Sequence, residues 1–180
     1  MERRRVGCPP SSVSVFLCPG GCSICRLAEA QEWQTYSYAA DGFSVSAPAV
    51  PVASNQSVTT AEGSVELHNY LVDIGAAALN ASATNDASLL NKNIAEALKG
   101  AENDAVGNAH GHLISDEGIA LGEYSGLEFE AENDTAHFTA RIYIVRSTLY
   151  LTQVVFGLGK PCRDTQRFLD SFHPIPLTTS

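Results

Sequence analysis

Two apolar segments near the end of the chain constrain its fold more than any other feature of the sequence. TAHFTARIYIV, residues 135–145, and TLYLTQVVFGL, residues 148–158, both alternate with the two-residue period of a β-strand. The predicted turn that joins them is Arg146-Ser147-Thr148. Together they predict an antiparallel hairpin. Along its first strand one face carries Phe138, Ala140, Ile142 and Ile144, and the other carries Arg141, Tyr143 and Val145.

Further strands are predicted on both sides of the middle of the chain. WQTYSY and GFSVSAP begin the series, and SVELHNYLVDIG follows, with AAALNASA as its expected partner. In SVELHNYLVDIG the residues on one side are Val65, Leu67, Asn69 and Leu71. Residues 110–134, which several glycines interrupt, add further strands before the hairpin.

Two helices complete the pattern. Asp86 is a suitable N-cap, and Gly100 is suited to end the helix that follows. Its apolar stripe consists of Leu90, Ile94, Ala97 and Leu98. CRDTQRFLDSF predicts a short closing helix that buries Phe168, Leu169 and Phe172. The predicted fold is therefore α+β: a single, mostly antiparallel sheet of about six strands, with the central helix and the short C-terminal helix packed on it.

This order of elements resembles the PsbP/Mog-like fold and uncharacterised secreted bacterial domains of similar build. FSVSAP, the central helix, the strand LYLTQVVF and the closing RFLDSF carry the resemblance, which covers about residues 33–173. It implies an accessory or binding protein without catalytic machinery. The chain lacks the tryptophan that many such domains carry after the FSVSAP segment. No functional residue is carried over, since no site motif matches position by position.

The first thirty residues differ in composition from the rest. A basic start, a weakly apolar stretch and the A-x-A pattern of Ala28 and Ala30 are typical of an export signal cut before Gln31. A start placed too far upstream would produce a similar leader. The expected organisation is therefore a leader at 1–30 and one α+β domain at 31–180, located outside the cytoplasm if the leader is functional.

Four of the five cysteines lie in this leader. Cys18, Cys22 and Cys25 have C-x3-C-x2-C spacing, which resembles the iron–sulfur loop of the radical S-adenosylmethionine enzymes. That family places the loop in a large barrel of alternating strands and helices, and the sequence after residue 31 predicts no such barrel. A discarded leader is the favoured interpretation, and an iron–sulfur protein is kept as an alternative.

Charge and hydropathy exclude several functions. Residues 31–180 contain 7 basic and 18 acidic residues, a net charge of −11, which would repel a phosphate backbone and disfavours nucleic-acid binding. The sequence contains no apolar run of the length that a transmembrane helix needs. The same acidic field favours cationic partners or divalent ions.

His110 and His112 are the candidate metal ligands. If AHGHL is extended, both imidazoles point the same way, a spacing that seats zinc or copper, with His68, His137 or an acid as a further ligand. Two exposed polar residues at the start of a strand would look the same. The acids between residues 116 and 134 lack the pattern of a calcium loop, and Glu128, Glu130 and Glu132 fit a solvated sheet face.

The favoured function is an exported, non-catalytic binding or accessory domain, because no catalytic group has an identifiable partner. Its partner is an unknown protein or small ligand, no cofactor is expected, and the oligomeric state is open. A metal-dependent hydrolase that uses His110 and His112 is the enzyme alternative.

Overall fold

The part of the chain described in this computed structural model, residues 32–60 and 63–175, consists of strands, two α-helices and one short 3-10 helix. In chain order the elements are β1 (Gln34–Tyr38), β2 (Phe43–Ala47), β3 (Val52–Thr60), β4 (Gly63–Asp73), β5 (Ala77–Asn85), the 3-10 helix (Ala87–Asn91), α1 (Ile94–Asn108), β6 (His112–Leu121), β7 (Tyr124–Glu132), β8 (Ala136–Val145), β9 (Thr148–Gly157), α2 (Thr165–Asp170) and β10 (His173–Pro174).

These strands form two antiparallel sheets. The larger has seven strands in the order β3-β4-β5-β9-β8-β7-β6, and the smaller has three in the order β1-β2-β10. The α+β class with mostly antiparallel strands is confirmed, but the prediction of a single sheet of about six strands was wrong. The reason is that FSVSA pairs with its neighbour QTYSY and with His173–Pro174 at the other end of the fold. Its alternate residues Phe43, Val45 and Ala47 are buried.

One hydrophobic core lies between the small sheet, α2 and one face of the large sheet. Phe43 and Val45 of β2 contribute to it together with Phe168, Leu169 and Phe172 from the closing segment, all at most 2% exposed. The predicted closing helix and its three apolar residues are therefore confirmed. Fully burying an aromatic or leucine side chain is worth about 1.5–3 kcal/mol, so this short helix is held by packing and not by its length.

The other core lies between α1 and the opposite face of the large sheet. Ala140, Ile142 and Ile144 of β8 pack there with Leu98 of α1, while Tyr143 faces the first core. The predicted hairpin is confirmed with this division of faces. Val145 pairs with Thr148, so the turn is Arg146-Ser147, and Arg146 adopts the left-handed φ of 58° that such a tight turn requires.

The boundaries of the central helix differ from the prediction. Asp86 accepts a hydrogen bond from the amide of Ser88 at 2.9 Å and so caps the 3-10 helix. Asn93 caps α1, which continues past Gly100 to Asn108. Since the chain becomes extended between the two helices, the predicted stripe is interrupted: Leu90 is 65% exposed, whereas Leu98 is buried.

Candidate functional site

A polar cavity of about 290 Å³ lies beside β4 and the turn that connects β1 to β2. Polar side chains dominate its wall, and β4 supplies three of them. The polar residues that line it are Asp41, Ser64, Glu66, His68, Asn85 and Thr148. Most small-molecule sites are lined mainly by apolar side chains, so this polar wall suits a ligand that is held by hydrogen bonds and charge.

The alternation of β4 places these groups together. Glu66, His68 and Tyr70 lie two residues apart, so their side chains project from one face of the strand. Ala83 of β5 lies opposite His68 and also lines the cavity, where its small side chain leaves room. The buried residue Val72 continues the same face. The sequence pattern had emphasised the opposite side, where Leu71 is 43% exposed.

Asp41 is brought to β4 by a tight turn. Its amide donates to the carbonyl of Tyr38 at 3.1 Å, and Gly42 next to it has a φ of 70°, a conformation that glycine adopts without strain. The hydroxyl of Tyr150 donates to the carbonyl oxygen of Asp41 at 2.7 Å. The turn is therefore fixed to the large sheet through its backbone.

The carboxylate of Asp41 joins β4 to this turn. Its side chain is only 8% exposed. The Nδ1 of His68 donates to Oδ1 at 2.6 Å, and the hydroxyl of Tyr70 donates to Oδ2. Because a carboxylate only accepts hydrogen bonds, Nδ1 of His68 must carry a proton. A buried carboxylate with two donors is well satisfied, so this arrangement is fixed.

The second nitrogen of His68 faces another acid. Its Nε2 lies 3.5 Å from Oε2 of Glu66, whose side chain is 76% exposed. The hydrogen bond to Asp41 is the main cause that raises the pKa of His68 above its usual value of 6.5, while partial burial opposes it and Glu66 adds to it. The cavity therefore carries one net negative charge when His68 is protonated and two when it is neutral.

The ring of Tyr70 packs against two other aromatic rings. The ring centroid of Tyr70 lies 3.7 Å from that of Tyr38 and 5.5 Å from that of Phe43. Burial is the main cause that raises the pKa of Tyr70 well above its ordinary value, and the hydrogen bond to Asp41 adds to it. Tyr70 is therefore a neutral hydrogen-bond donor over the whole physiological pH range.

Asp41 and His68 are arranged like the acid and the histidine of a hydrolytic triad, but Ser64 on the same strand lies too far from His68 to be the third member. Ser64 shares the face of His68 four residues away on an extended strand, which separates the two Cα atoms by roughly 13 Å. The hydroxyl of Ser64 is hydrogen-bonded to the hydroxyl of Ser57, with 2.7 Å between the two oxygens. In the described residues, the hydrogen-bonding neighbour of His68 Nε2 is the carboxylate of Glu66.

The histidines predicted as metal ligands lie elsewhere. His110 has a φ of 50° in the turn after α1, and β6 begins only at His112, so the extended AHGHL stretch on which the pair was predicted is not present. The Nε2 of His112 is 3.4 Å from Oε1 of Glu132. Within residues 32–60 and 63–175, no three His, Cys, Asp or Glu side chains are grouped so that they could hold one metal ion. The His110–His112 site stays a prediction.

The two other histidines that were considered as further ligands are also separated. His68 lies in the cavity, whereas His137 of β8 stacks on Phe156 and has a nitrogen 3.9 Å from a carboxylate oxygen of Glu130. On the same face of the sheet, Arg141 binds both Glu128 and Asp170. Glu128, which was predicted to lie on a solvated sheet face, thus belongs to an ion-pair network that connects α2 to the sheet.

Sequence reasoning missed Asp41, Glu66 and Tyr70, and it considered His68 only as an auxiliary metal ligand. Two local signals indicate the site in retrospect. One is the alternation Glu66-x-His68-x-Tyr70, and the other is Asp41-Gly42 directly between two predicted strands, a dipeptide typical of tight turns.

The predicted leader and the predicted lack of a transmembrane helix both concern residues that the structure does not fully describe. The leader at 1–30, with Cys18, Cys22 and Cys25, lies outside the described residues. In the part of the chain that is described, no helix is both long and apolar enough to cross a membrane.

Comparison with known proteins shows the fold. Neither a protein-family model nor a curated protein matches the chain. The solution structure of cyanobacterial PsbP (CyanoP) from Synechocystis sp. PCC 6803 is similar, with 16% identity over 86% of this chain and 98% of that one and a TM-score of 0.54. The PA94 protein of unknown function from Pseudomonas aeruginosa is 11% identical over 59% of this chain and 85% of that one, with a TM-score of 0.40. The chain therefore has a PsbP-like fold, as its sequence predicted.

Proposed function

We propose that this chain is an exported, non-catalytic binding or accessory domain whose ligand site is the cavity beside Asp41, Glu66 and His68. The observation that carries the proposal is the geometry of that cavity. A buried carboxylate fixes the imidazole of His68, and that imidazole faces the exposed carboxylate of Glu66. A preorganised wall of hydrogen-bonding groups suits the binding of a polar ligand.

The charge of the cavity favours a small ligand that donates hydrogen bonds and carries a positive charge. Glu66 offers an exposed carboxylate at the cavity wall, and the hydroxyls of Ser64 and Thr148 and the amide of Asn85 lie on the same wall. The surrounding domain carries a net charge of −11 between residues 31 and 180, which attracts cations from solution. Deprotonation of His68 removes a competing positive charge, so a cation should bind more tightly as the pH rises through the raised pKa of His68.

Putrescine, a small diamine, is a suitable probe for this cavity. Titration at pH 8, followed by amide chemical shifts, should move the resonances of residues 64–68 and 83–85 before any others. Glu66→Gln should weaken binding by roughly three- to tenfold, because it removes one of two nearby carboxylates. Glu123→Gln, on the exposed turn between β6 and β7, is the matched control with the same loss of charge. Equal weakening by both variants would show that putrescine responds only to net charge.

Export is tested separately, by the intact mass of the protein recovered from an exporting host. A mass that begins at Gln31 supports the proposed leader. A cytoplasmic product that retains Cys18, Cys22 and Cys25 would contradict export, and metal analysis of that product would then test the iron–sulfur alternative.

A further inference from the structure

The outer strand β3 of the large sheet presents an unprotected edge. Within the described residues only β4 pairs with it, and residues 52–57 are exposed. The backbone groups on the outer side of such a strand are a template for another strand, and proteins usually block them with charges, prolines, bulges or a cover. From Val52 to Val58 there is no charged residue and no proline, and the register with β4 runs without a bulge.

The opposite edge of the same sheet is protected. β6 carries Asp116 and Glu117, and its pairing with β7 shifts between Leu113 and Ser115. The β6 edge therefore has charges and a bulge that hinder pairing with a further strand, whereas the β3 edge has neither. An added strand is therefore directed to β3.

The sequence of β3 places a valine at the same distance on each side of Asn55. In VASNQSV, residues 52–58, Asn55 is the midpoint, and the pairs at equal distance from it are Val52 with Val58, Ala53 with Ser57 and Ser54 with Gln56. An antiparallel partner related by a two-fold axis through Asn55 would set each of these residues against its counterpart. Two valine pairs would then form on one face of the joined sheet, since the two valines are six residues apart.

An exposed apolar patch lies where these valines would meet. Val52 is 70% exposed and pairs with Leu71, which is 43% exposed on the same face of β4. Val50, two residues before Val52, is 74% exposed. A partner's Val58 set against Val52 would remove part of this apolar surface from water, which favours association.

The distribution of charge selects a second copy of this chain as the partner. Residues 42–61 contain no charged side chain, although residues 31–180 as a whole carry 7 basic and 18 acidic residues, a net charge of −11. Two copies that each carry this net negative charge repel each other least at an edge without charged side chains. A basic partner protein would instead be drawn to the acidic strands β6 and β7.

We propose that two copies of this chain dimerise through antiparallel pairing of β3 with its symmetry mate, centred on Asn55. The interface is isologous, as a two-fold axis requires, and it joins the two large sheets into one continuous sheet.

Molar mass in solution tests the proposal. Light scattering behind size exclusion, over a range of concentrations of the full chain, should give a mass near twice that of the 19.1 kDa chain. Asn55→Lys and Asn55→Asp should each give the mass of one chain at the concentration at which the wild type is dimeric, because the substituted residue meets its own copy across the axis. An equimolar mixture of the two variants should recover the doubled mass, since lysine then faces aspartate.

The matched controls are Ser115→Lys and Ser115→Asp, which make the same change on the exposed edge strand β6. Both should stay dimeric. A monomeric wild type overturns the proposal, and so does a dimeric Asn55→Lys variant, since the interface would then lie elsewhere. A mixture that stays monomeric overturns the register at Asn55.

A measurement on the wild type alone tests the proposal without relying on the folding of any variant. On dilution below the dimer dissociation concentration, amide hydrogen exchange in residues 52–58 should accelerate, while exchange in β9 at the centre of the sheet should not change. Unchanged exchange in residues 52–58 overturns the proposal.

Discussion

Removal of the Tyr70 hydroxyl tests whether the Asp41 carboxylate holds the β1–β2 turn against the large sheet. Tyr70→Phe deletes one of the two side-chain donors to this carboxylate and leaves the Nδ1 of His68 as the other. The ring itself remains, so its contacts with Tyr38 and Phe43 are retained. The substitution therefore isolates one hydrogen bond.

The expected magnitude follows from the burial of the acceptor. A hydrogen bond to a charged group contributes about 1.5–3 kcal/mol, and the Asp41 side chain, at 8% exposure, cannot easily replace the lost donor with water. We expect Tyr70→Phe to lower the free energy of unfolding by about 2 kcal/mol. For a domain of this size, that corresponds to a fall of roughly 4–8 °C in the melting temperature.

Urea denaturation at pH 7 is the assay, and a double-mutant cycle identifies the partner. In an Asp41→Asn background the acceptor is neutral. The loss of unfolding free energy caused by Tyr70→Phe should therefore be smaller there, by about 1 kcal/mol, than in the wild-type background. Tyr36→Phe is the matched control, because Tyr36 is a half-buried tyrosine on β1 and the described structure shows no hydrogen-bond partner for its hydroxyl. If Tyr70→Phe and Tyr36→Phe have the same small effect, the carboxylate does not anchor the turn.

Two further predictions concern the same sheet. The hydrogen bond to Asp41 raises the folded-state pKa of His68 above the unfolded value of about 6.5, so its contribution is complete below that pH and is lost as the pH rises through the folded pKa. The loss of stability in His68→Gln should therefore be larger at pH 5.5 than at pH 9 in urea denaturation, and the reverse order would contradict this assignment. Gly126→Ala should destabilise by more than 1 kcal/mol in the same assay, because its Cβ would lie 2.5 Å from the Tyr143 ring and 2.7 Å from a backbone oxygen. Gly118→Ala, which meets open space on β6, should have little effect, and equal effects of the two would refute the close approach.

The elements that local patterning predicted correctly are those whose packing agrees with their own sequence. Phe138 to Ile144 alternate apolar residues over a long strand, and the turn at Arg146 is short enough to leave one pairing. Phe168, Leu169 and Phe172 are buried on one side of a short helix, as their spacing requires. Here the local period and the tertiary contacts specify the same structure.

The predictions of the central helix and of a single sheet were wrong for two different physical reasons. Asp86 and Asn93 are both good N-caps seven residues apart, and only tertiary contacts decide that the chain becomes extended between them. The pairing of Phe43 and Ser44 with His173–Pro174 joins the two ends of the fold. No local pattern encodes so distant a pairing, and without it the sequence predicts that the strands belong to one sheet.

The candidate site escaped prediction because a hydrophobicity pattern assigns the polar face of a strand to solvent. Along β4 the more apolar set ends at Leu71, which is 43% exposed, whereas the set with His68 and Tyr70 faces the small sheet. Asp41 stabilises this orientation of β4, because its buried carboxylate accepts hydrogen bonds from both His68 and Tyr70. The carboxylate thus allows β4 to direct polar groups inward, and the same burial leaves His68 and Glu66 at the wall of a cavity. Asp41 therefore contributes both to stability and to the proposed binding site, so Asp41→Asn should weaken both stability and putrescine binding, whereas Glu66→Gln should weaken mainly binding.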